Sequence, residues 1–290
     1  MSRLVHQVKG RLSLQVRRRS VALLDGGYAS LHRGRSLEVD DLREYIPGDD
    51  VRDIAWKASA RHGSMLVTRR IAERHVSMVL VVPTGRGFAA QSAAGEVKAQ
   101  VAATAAGVLG WVAIRHGDEV RLVSGSPGAV RASRSLSSEG HLEHLLQHII
   151  SASRAEAPNA DLPGLLRHVA RTVTGRKVVV VIADDGVRAE AVADALRVIR
   201  QRHEVIWVEI ADVDPTTAGP VREVARGRAL PHLVVASPDL RRAYQAAETA
   251  RREALATLMR RQDIAVMRVE SSDEVVTAVV RLLEKRRRGR

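Results

Sequence analysis

From about residue 76 onward, apolar runs of strand length alternate with amphipathic stretches of helical period. Few folds accept that order. Successive strands separated by helices lie parallel and are joined by right-handed crossovers, so the expected fold is α/β: a doubly wound, mostly parallel sheet with helices on both faces. The available side chains agree. Aromatic residues make up 2% of the chain, with one Phe, so Val, Leu, Ile and Ala must fill the core, which suits buried parallel strands under Ala-rich helices.

The alternation can be followed element by element. Residues 76–82 read as a central strand, and 92–116 as a long Ala-rich helix with Val97, Val101, Val108 and Val112 on one side. Residues 119–123 form the next strand, and the turn residues of 124–128 bring 129–132 back beside it. Helices follow at 140–151 and 162–172, and the β-branched run 177–183 belongs in the sheet centre. The remainder reads as helix 187–200, strand 203–211, a loop at 212–219, a small hairpin from 221–226 and 232–236, helix 239–261, strand 264–269 and a closing helix at 273–287.

Before residue 76 the texture differs. Gly26, Gly27, Gly34, Gly48 and Gly63 break it at short intervals and leave no room for long helices after Leu24. Residues 1–75 are therefore expected to form a small irregular or β-rich lobe, with 65–70 as a strand or hairpin partner, and 76–290 the main domain.

The most distinctive segment, residues 38–61, reads EVDDLREYIPGDDVRDIAWKASAR. Pro47-Gly48 suits the centre of a tight turn, and Asp49 or Asp50 can cap the residues just after it. Arg43, Arg52 and Arg61 interleave with Glu44, Asp49, Asp50 and Asp53, which predicts a mutual ion-pair network, and Trp56 reads as a packing anchor between lobe and sheet. The competing reading is an interaction surface carried by Arg43, Glu44, Tyr45, Asp49, Asp50, Arg52, Trp56 and Arg61. The segment resembles the hallmark of a bacterial family known as domain of unknown function fifty-eight, LREY-x-PGDD-x-R-x-I-D-W-x-x-x-AR. Leu42, Arg43, Glu44, Tyr45, Pro47, Gly48, Asp49, Asp50, Arg52, Ile54, Trp56, Ala60 and Arg61 fall on it in order. Ala55 departs from it, standing where the family carries an aspartate. A weaker likeness runs through Gly34, Lys98, Gly117-Asp118 and residues 203–206, so that it covers essentially the whole chain.

The resemblance implies a von Willebrand factor A-like domain. Such domains hold a divalent cation at the end of the first sheet strand through an Asp-x-Ser-x-Ser loop, whose oxygens suit a hard ion. Here the loop reads Pro83-Thr84-Gly85-Arg86-Gly87: Pro83 replaces the aspartate, and Gly85 and Gly87 replace the serines. Asp184 matches a later aspartate of the site, but Ala183 replaces the serine before it. A degenerate site without metal is expected, the alternative being a different arrangement that uses Asp184 and Asp185. Gly85-Arg86-Gly87 offers a second reading, backbone N–H groups open to an anion, against that of a plain turn.

Other chemistry is not supported. His141, His144 and His148 share one side of a helix but flank the stripe Leu142, Leu145, Leu146 and Ile149, and they lack the HExxH order, so they read as boundary residues rather than zinc ligands. Cysteine is absent, which removes thiolate catalysis, and no Gly-x-Ser-x-Gly elbow occurs. Neither an enzyme nor a cofactor is expected.

The net charge of +13 is carried mostly by arginine, the only lysines being Lys9, Lys57, Lys98, Lys177 and Lys285. Apart from small clusters at 17–19 and 286–288 it is spread along the chain, as a coding bias would spread it. Aromatics are too few for a stacking platform and no nucleic-acid-binding signature appears, so nucleic acid is the runner-up ligand. No stretch reaches the roughly 18 apolar residues of a membrane span, and the first 16 residues lack an apolar signal core, so a cytoplasmic protein without a transmembrane segment is expected. The resemblance further implies a protein partner, a MoxR-type AAA+ ATPase, and hence a non-catalytic adaptor.

Overall fold

A computed structural model describes residues 3–15, 28, 41–69, 77–126, 128–215, 222–224, 228–229 and 237–288. The arginines at 17–19, the glycines at 26, 27 and 34, Val76 and residues 232–236 lie outside the described residues. In chain order the elements are α1 (Arg3–Gln15), β1 (Asp41–Glu44), α2 (Trp56–His62), β2 (Leu66–Arg69), β3 (Met78–Val82), α3 (Lys98–Arg115), β4 (Val120–Ser126), β5 (Ala129–Ala132), α4 (Glu139–Ala152) and α5 (Leu162–Thr172). They continue with β6 (Val178–Asp184), α6 (Ala189–Arg202), β7 (Glu204–Ile210), the two-residue strands β8 (Arg222–Glu223) and β9 (Arg228–Ala229), α7 (Pro238–Arg261), β10 (Ala265–Val269) and α8 (Val275–Arg288). The chain divides into two units: Met1–Leu31 with Val76–Arg290, and His32–His75.

The larger unit is built on a six-stranded sheet in the order β10-β7-β6-β3-β4-β5. All neighbours are parallel except β5, which turns back antiparallel on β4 through Gly125 and Gly128. Period-two alternation sorts the strand side chains onto two faces. Met78, Leu80, Val82, Val180, Ile182, Ile206 and Val208 join α1, α3, α4 and α8 in one core, whereas Val79, Val81, Val179, Val181, Val205 and Trp207 join α5, α6 and α7 in the other. The doubly wound, mostly parallel sheet is thus the architecture expected from the alternation.

Helix α3 is buried nearly all round, which explains its Ala and Gly content. A Cβ on Gly107 would lie 2.7 Å from Val8 Cγ2, and one on Gly110 would lie 2.8 Å from Leu142 Cδ1, so the glycines let α1 and α4 approach closely. The residues 1–31 placed with the lobe by their texture therefore count with the α/β unit: Val5, Val8 and Leu12 are buried in its core. The start of α1 is capped from α4, where buried Glu143 accepts hydrogen bonds from the N–H groups of Leu4 (3.1 Å) and Val5 (2.8 Å).

Helix α3 begins at Lys98, not at residue 92 as its composition suggests. Residues Arg86–Ala89 form a 3-10 turn, and the Ser92 N–H donates to the Glu96 carbonyl (2.7 Å) around Gly95 at φ +80°. The Ala93 N–H donates to Ala211 at the exit of β7 (2.8 Å), so a tertiary bond outweighs the helix propensity of Ala93 and Ala94. From β3 the chain moves to β4 on one side, and from β6 to β7 and β10 on the other. The crossovers diverge between β3 and β6, and in sheets of this kind the crevice lies there, outside the carboxyl ends of the strands.

Candidate functional site

There are two candidate sites, one in each unit. In the smaller unit, β1 and β2 form a two-stranded antiparallel sheet in which Arg43 pairs with Val67 and Glu44 with Leu66. Between them, the Asp49 N–H donates to Ile46 (3.0 Å), closing a turn centred on Pro47-Gly48 with Gly48 at φ +114°. The Arg43 guanidinium clamps Asp49 with two bonds of 2.7 and 2.5 Å, and Asp49 also accepts from the Ile46 N–H. That pairing holds the Asp49 carboxyl below its usual pKa, the Arg43 hydrogen bond first. Asp50 caps the next 3-10 turn through the Arg52 N–H (3.0 Å), and Ser59 bridges α2 to β2 by accepting from Leu66 (2.9 Å).

The hallmark is therefore a turn-building device, as its Pro-Gly and aspartates suggest. The wider ion network is not found: among the described residues the hallmark contains one ion pair, Arg43 with Asp49. Glu44, Asp50, Arg52 and Arg61 project into solvent, with Tyr45 half-buried. The expected anchor is also corrected. Trp56 opens α2 and its residue is 64% exposed, whereas Ile54, Leu66 and Val67 are the buried apolar side chains among the described residues of this unit. Leu42, Ile46, Val51 and Met65 are exposed as well, so this unit carries five of the eleven large apolar side chains that stand exposed among the described residues.

In the larger unit, the crevice gathers the ends of β3, β6, β7 and β10. Lys98, the first residue of α3, extends its ammonium to Asp184 Oδ2 at the end of β6 (3.5 Å) and to Asp212 Oδ1 after β7. The Lys98 side chain is 3% exposed. Burial alone would lower its pKa, but Asp184 and Asp212 outweigh that and move it upward. Asp212 is pushed up to about 6, by burial first and by repulsion from Asp184 and Asp185, against the pull of Lys98. One ammonium serves two carboxylates there.

Beside this group, Asp185 is buried and receives Arg268 (3.0 Å) and Arg252 (3.1 Å), with Arg251 at 3.9 Å. Arg268 also pairs with Glu209 on β7. Burial would raise the Asp185 pKa, but Arg268 and the Asp212 backbone N–H reverse the shift. A cleft of about 390 Å³ opens next to these residues, walled by Asp185, Asp212, Asp214, Tyr244, Glu248 and Arg252. Its negative character shows in Tyr244, whose hydroxyl is pushed up to about 12 by burial and then by Glu248, Asp214, Asp185 and Asp212.

The loop expected to be a degenerate metal loop is buried at Pro83, Thr84 and Gly85. A Cβ on Gly85 would lie 2.5 Å from the Pro158 carbonyl oxygen, so this position packs backbone on backbone. The residues present do not fit a divalent cation: Pro83, Gly85 and Gly87 supply no side-chain oxygen, and the Lys98 ammonium occupies the carboxylates. An anion does not fit the loop either. The Arg86 N–H donates to Pro158 (3.2 Å) and its Nε to Ala157 (2.8 Å). The histidines of α4 lie at its edge: His141 Nε2 is 3.1 Å from the Val120 carbonyl and His148 Nε2 is 3.2 Å from Ser124 Oγ, while His144 is exposed.

Asp184, with Asp185 beside it, is what the sequence alone singles out in the crevice. Asp212, Tyr244, Arg252 and Arg268 come from three separate loops and elements, and nothing in their spacing links them to it. Lys98 carried a signal: a lone lysine opening an otherwise apolar helix, in a chain that elsewhere prefers arginine, needs a buried counter-charge.

The sequence matches the family model described as "Protein of unknown function DUF58" over residues 41–254. Uncharacterized proteins of Mycobacterium bovis and Mycobacterium tuberculosis are 26% identical over 287 residues, which covers 96% of this chain and 88% of each of those proteins. Among solved structures, an aerotolerance-related membrane protein from Bacteroides fragilis is similar with a TM-score of 0.47 at 16% identity, over 72% of this chain and 99% of that one. The conserved hypothetical protein BatB from Bacteroides thetaiotaomicron gives 0.48 at 12% identity, over 73% and 99%. A von Willebrand factor type A structure from Catenulispora acidiphila gives 0.42 at 12% identity, over 73% and 42%.

Proposed function

This chain belongs to the DUF58 family of proteins of unknown function, and from that premise we propose that it is a non-catalytic interaction module, an adaptor for a MoxR-type AAA+ ATPase that engages its partner without a bridging metal ion. The observation that carries the reading is the concentration of exposed apolar side chains in the hallmark unit, headed by Trp56 at 64% exposure. Large aromatics in such positions are the usual anchors of protein interfaces. The crevice supports it from the other side, since its buried charges are satisfied by one another and present no activated nucleophile.

The test uses the purified protein and the purified MoxR-type ATPase of the same organism. Replacing Trp56 by Ala is expected to leave unfolding stability within about 1 kcal/mol, as for an exposed position, while weakening capture by about tenfold or more. Binding in the wild type should persist in EDTA. An ATPase that shows no saturable binding would sink the adaptor reading. If DNA or RNA were instead retained with a steep salt dependence, the basic surface would be the functional one.

A further inference from the structure

We infer that the Lys98 ammonium is the resident cation of the strand-end crevice, a side chain of the protein standing where two carboxylates would otherwise require a divalent ion. Its position is costly without such a role. Lys98 opens α3, where the helix dipole disfavours positive charge, and its side chain is 3% exposed. The compensation is Asp184 and Asp212, contributed by the ends of two different strands and reached by one nitrogen. Lysine suits that task better than arginine. Its compact ammonium directs three donors from a point, as a small ion would, whereas a planar guanidinium would need paired acceptors in one plane. The arginines of the crevice sit instead around Asp185, where a flat fork can approach. The backbone is arranged to keep the ammonium in place: the Lys98 N–H donates to Ala90 (2.9 Å), and Ala93 is bound to Ala211 beside Asp212. The lysine thus ties α3, β6 and the loop after β7 together as a bridging ion would, but it cannot dissociate or be chelated.

The experiment removes the tethered charge from the full chain. Wild-type protein, Lys98→Ala, Lys98→Ala/Asp184→Asn and Lys98→Ala/Asp212→Asn are titrated with MgCl2 or MnCl2 against a matched ionic-strength control, following the thermal midpoint and, for Mn2+, its electron paramagnetic resonance signal. Wild type should show no specific shift. Lys98→Ala should melt lower and then gain ~3 °C or more, saturably, as Mn2+ binds. Asp212→Asn added to it should recover part of the lost stability by removing uncompensated charge, and each carboxylate replacement should abolish Mn2+ binding. If Lys98→Ala does not fold in EDTA, the midpoint is replaced by recovery of the folded circular-dichroism signal on adding Mg2+. A saturable divalent-ion shift in the wild type, or a Lys98→Ala protein that neither binds Mn2+ nor is stabilised by either ion, overturns the inference.

Discussion

Asp212 holds its proton more tightly in the folded chain than in the unfolded one, its pKa raised from 3.8 to about 6 by burial and the neighbouring carboxylates. The folded state then binds more protons over roughly pH 4 to 6, so stability should rise as pH falls through about 6 and level off once the unfolded chain is protonated too. Asp212→Asn should remove this component, so that from pH 7 to pH 5 the variant's midpoint gains less, or loses more, than the wild type's. Superimposable pH profiles would acquit Asp212. Nothing around Asp212 in the sequence announces this behaviour, because the carboxylates that add to the effect of burial lie 27 and 28 positions earlier, at Asp185 and Asp184, and the ammonium that opposes them lies 114 positions earlier, at Lys98. Trp56 fails for a related reason. Residue type predicts burial only on average, and a tryptophan on the first turn of a seven-residue helix can fall on either face.

Elements were far more legible than residues. The strands at 178–184 and 204–210 and the helices at 139–152 and 162–172 follow from period and composition, because a strand buried on both faces or an amphipathic helix writes its burial directly into the sequence. The start of α3 was not legible, since its first apparent turns are diverted by hydrogen bonds to the exit of β7. Within α3, Gly107 looks like a weak point in a helix but serves close packing against Val8 and Leu146. Gly107→Ala gains about 1 kcal/mol of helix propensity, yet the added methyl meets Val8 at 2.7 Å, so a net loss of about 1 to 2 kcal/mol is expected in urea unfolding. A stabilised variant would show that α1 yields to the extra volume at little cost.

Across the whole molecule, the mostly parallel sheet was implied by the alternation of strands and helices, whereas the crevice depends on the strand order β10-β7-β6-β3-β4-β5, in which the crossovers diverge between β3 and β6, and the alternation does not carry that order. Nor was the occupant of the crevice, Lys98, legible there. Charge pairing between distant loops leaves no periodic trace, and the net charge of +13 points away from a cleft walled by Asp185, Asp212, Asp214 and Glu248.

Helix α1 has a practical consequence of its own. It closes one face of the core with Val5, Val8 and Leu12, is tied to the turn before α8 by Arg11 with Asp273 (2.5 Å), and satisfies Glu143 through its first N–H groups. Shortening the protein by residues 3–15 should therefore do more than trim a tail: it uncovers an apolar furrow along α3 and α4 and strands a carboxylate at its head. The trimmed protein is expected to bind the dye ANS and to self-associate in size-exclusion chromatography, whereas one that elutes as the wild type without dye binding would show that the furrow closes by itself. A tag or leader that unwinds this helix would turn a well-behaved sample into a sticky one, with no residue of the crevice or the hallmark changed.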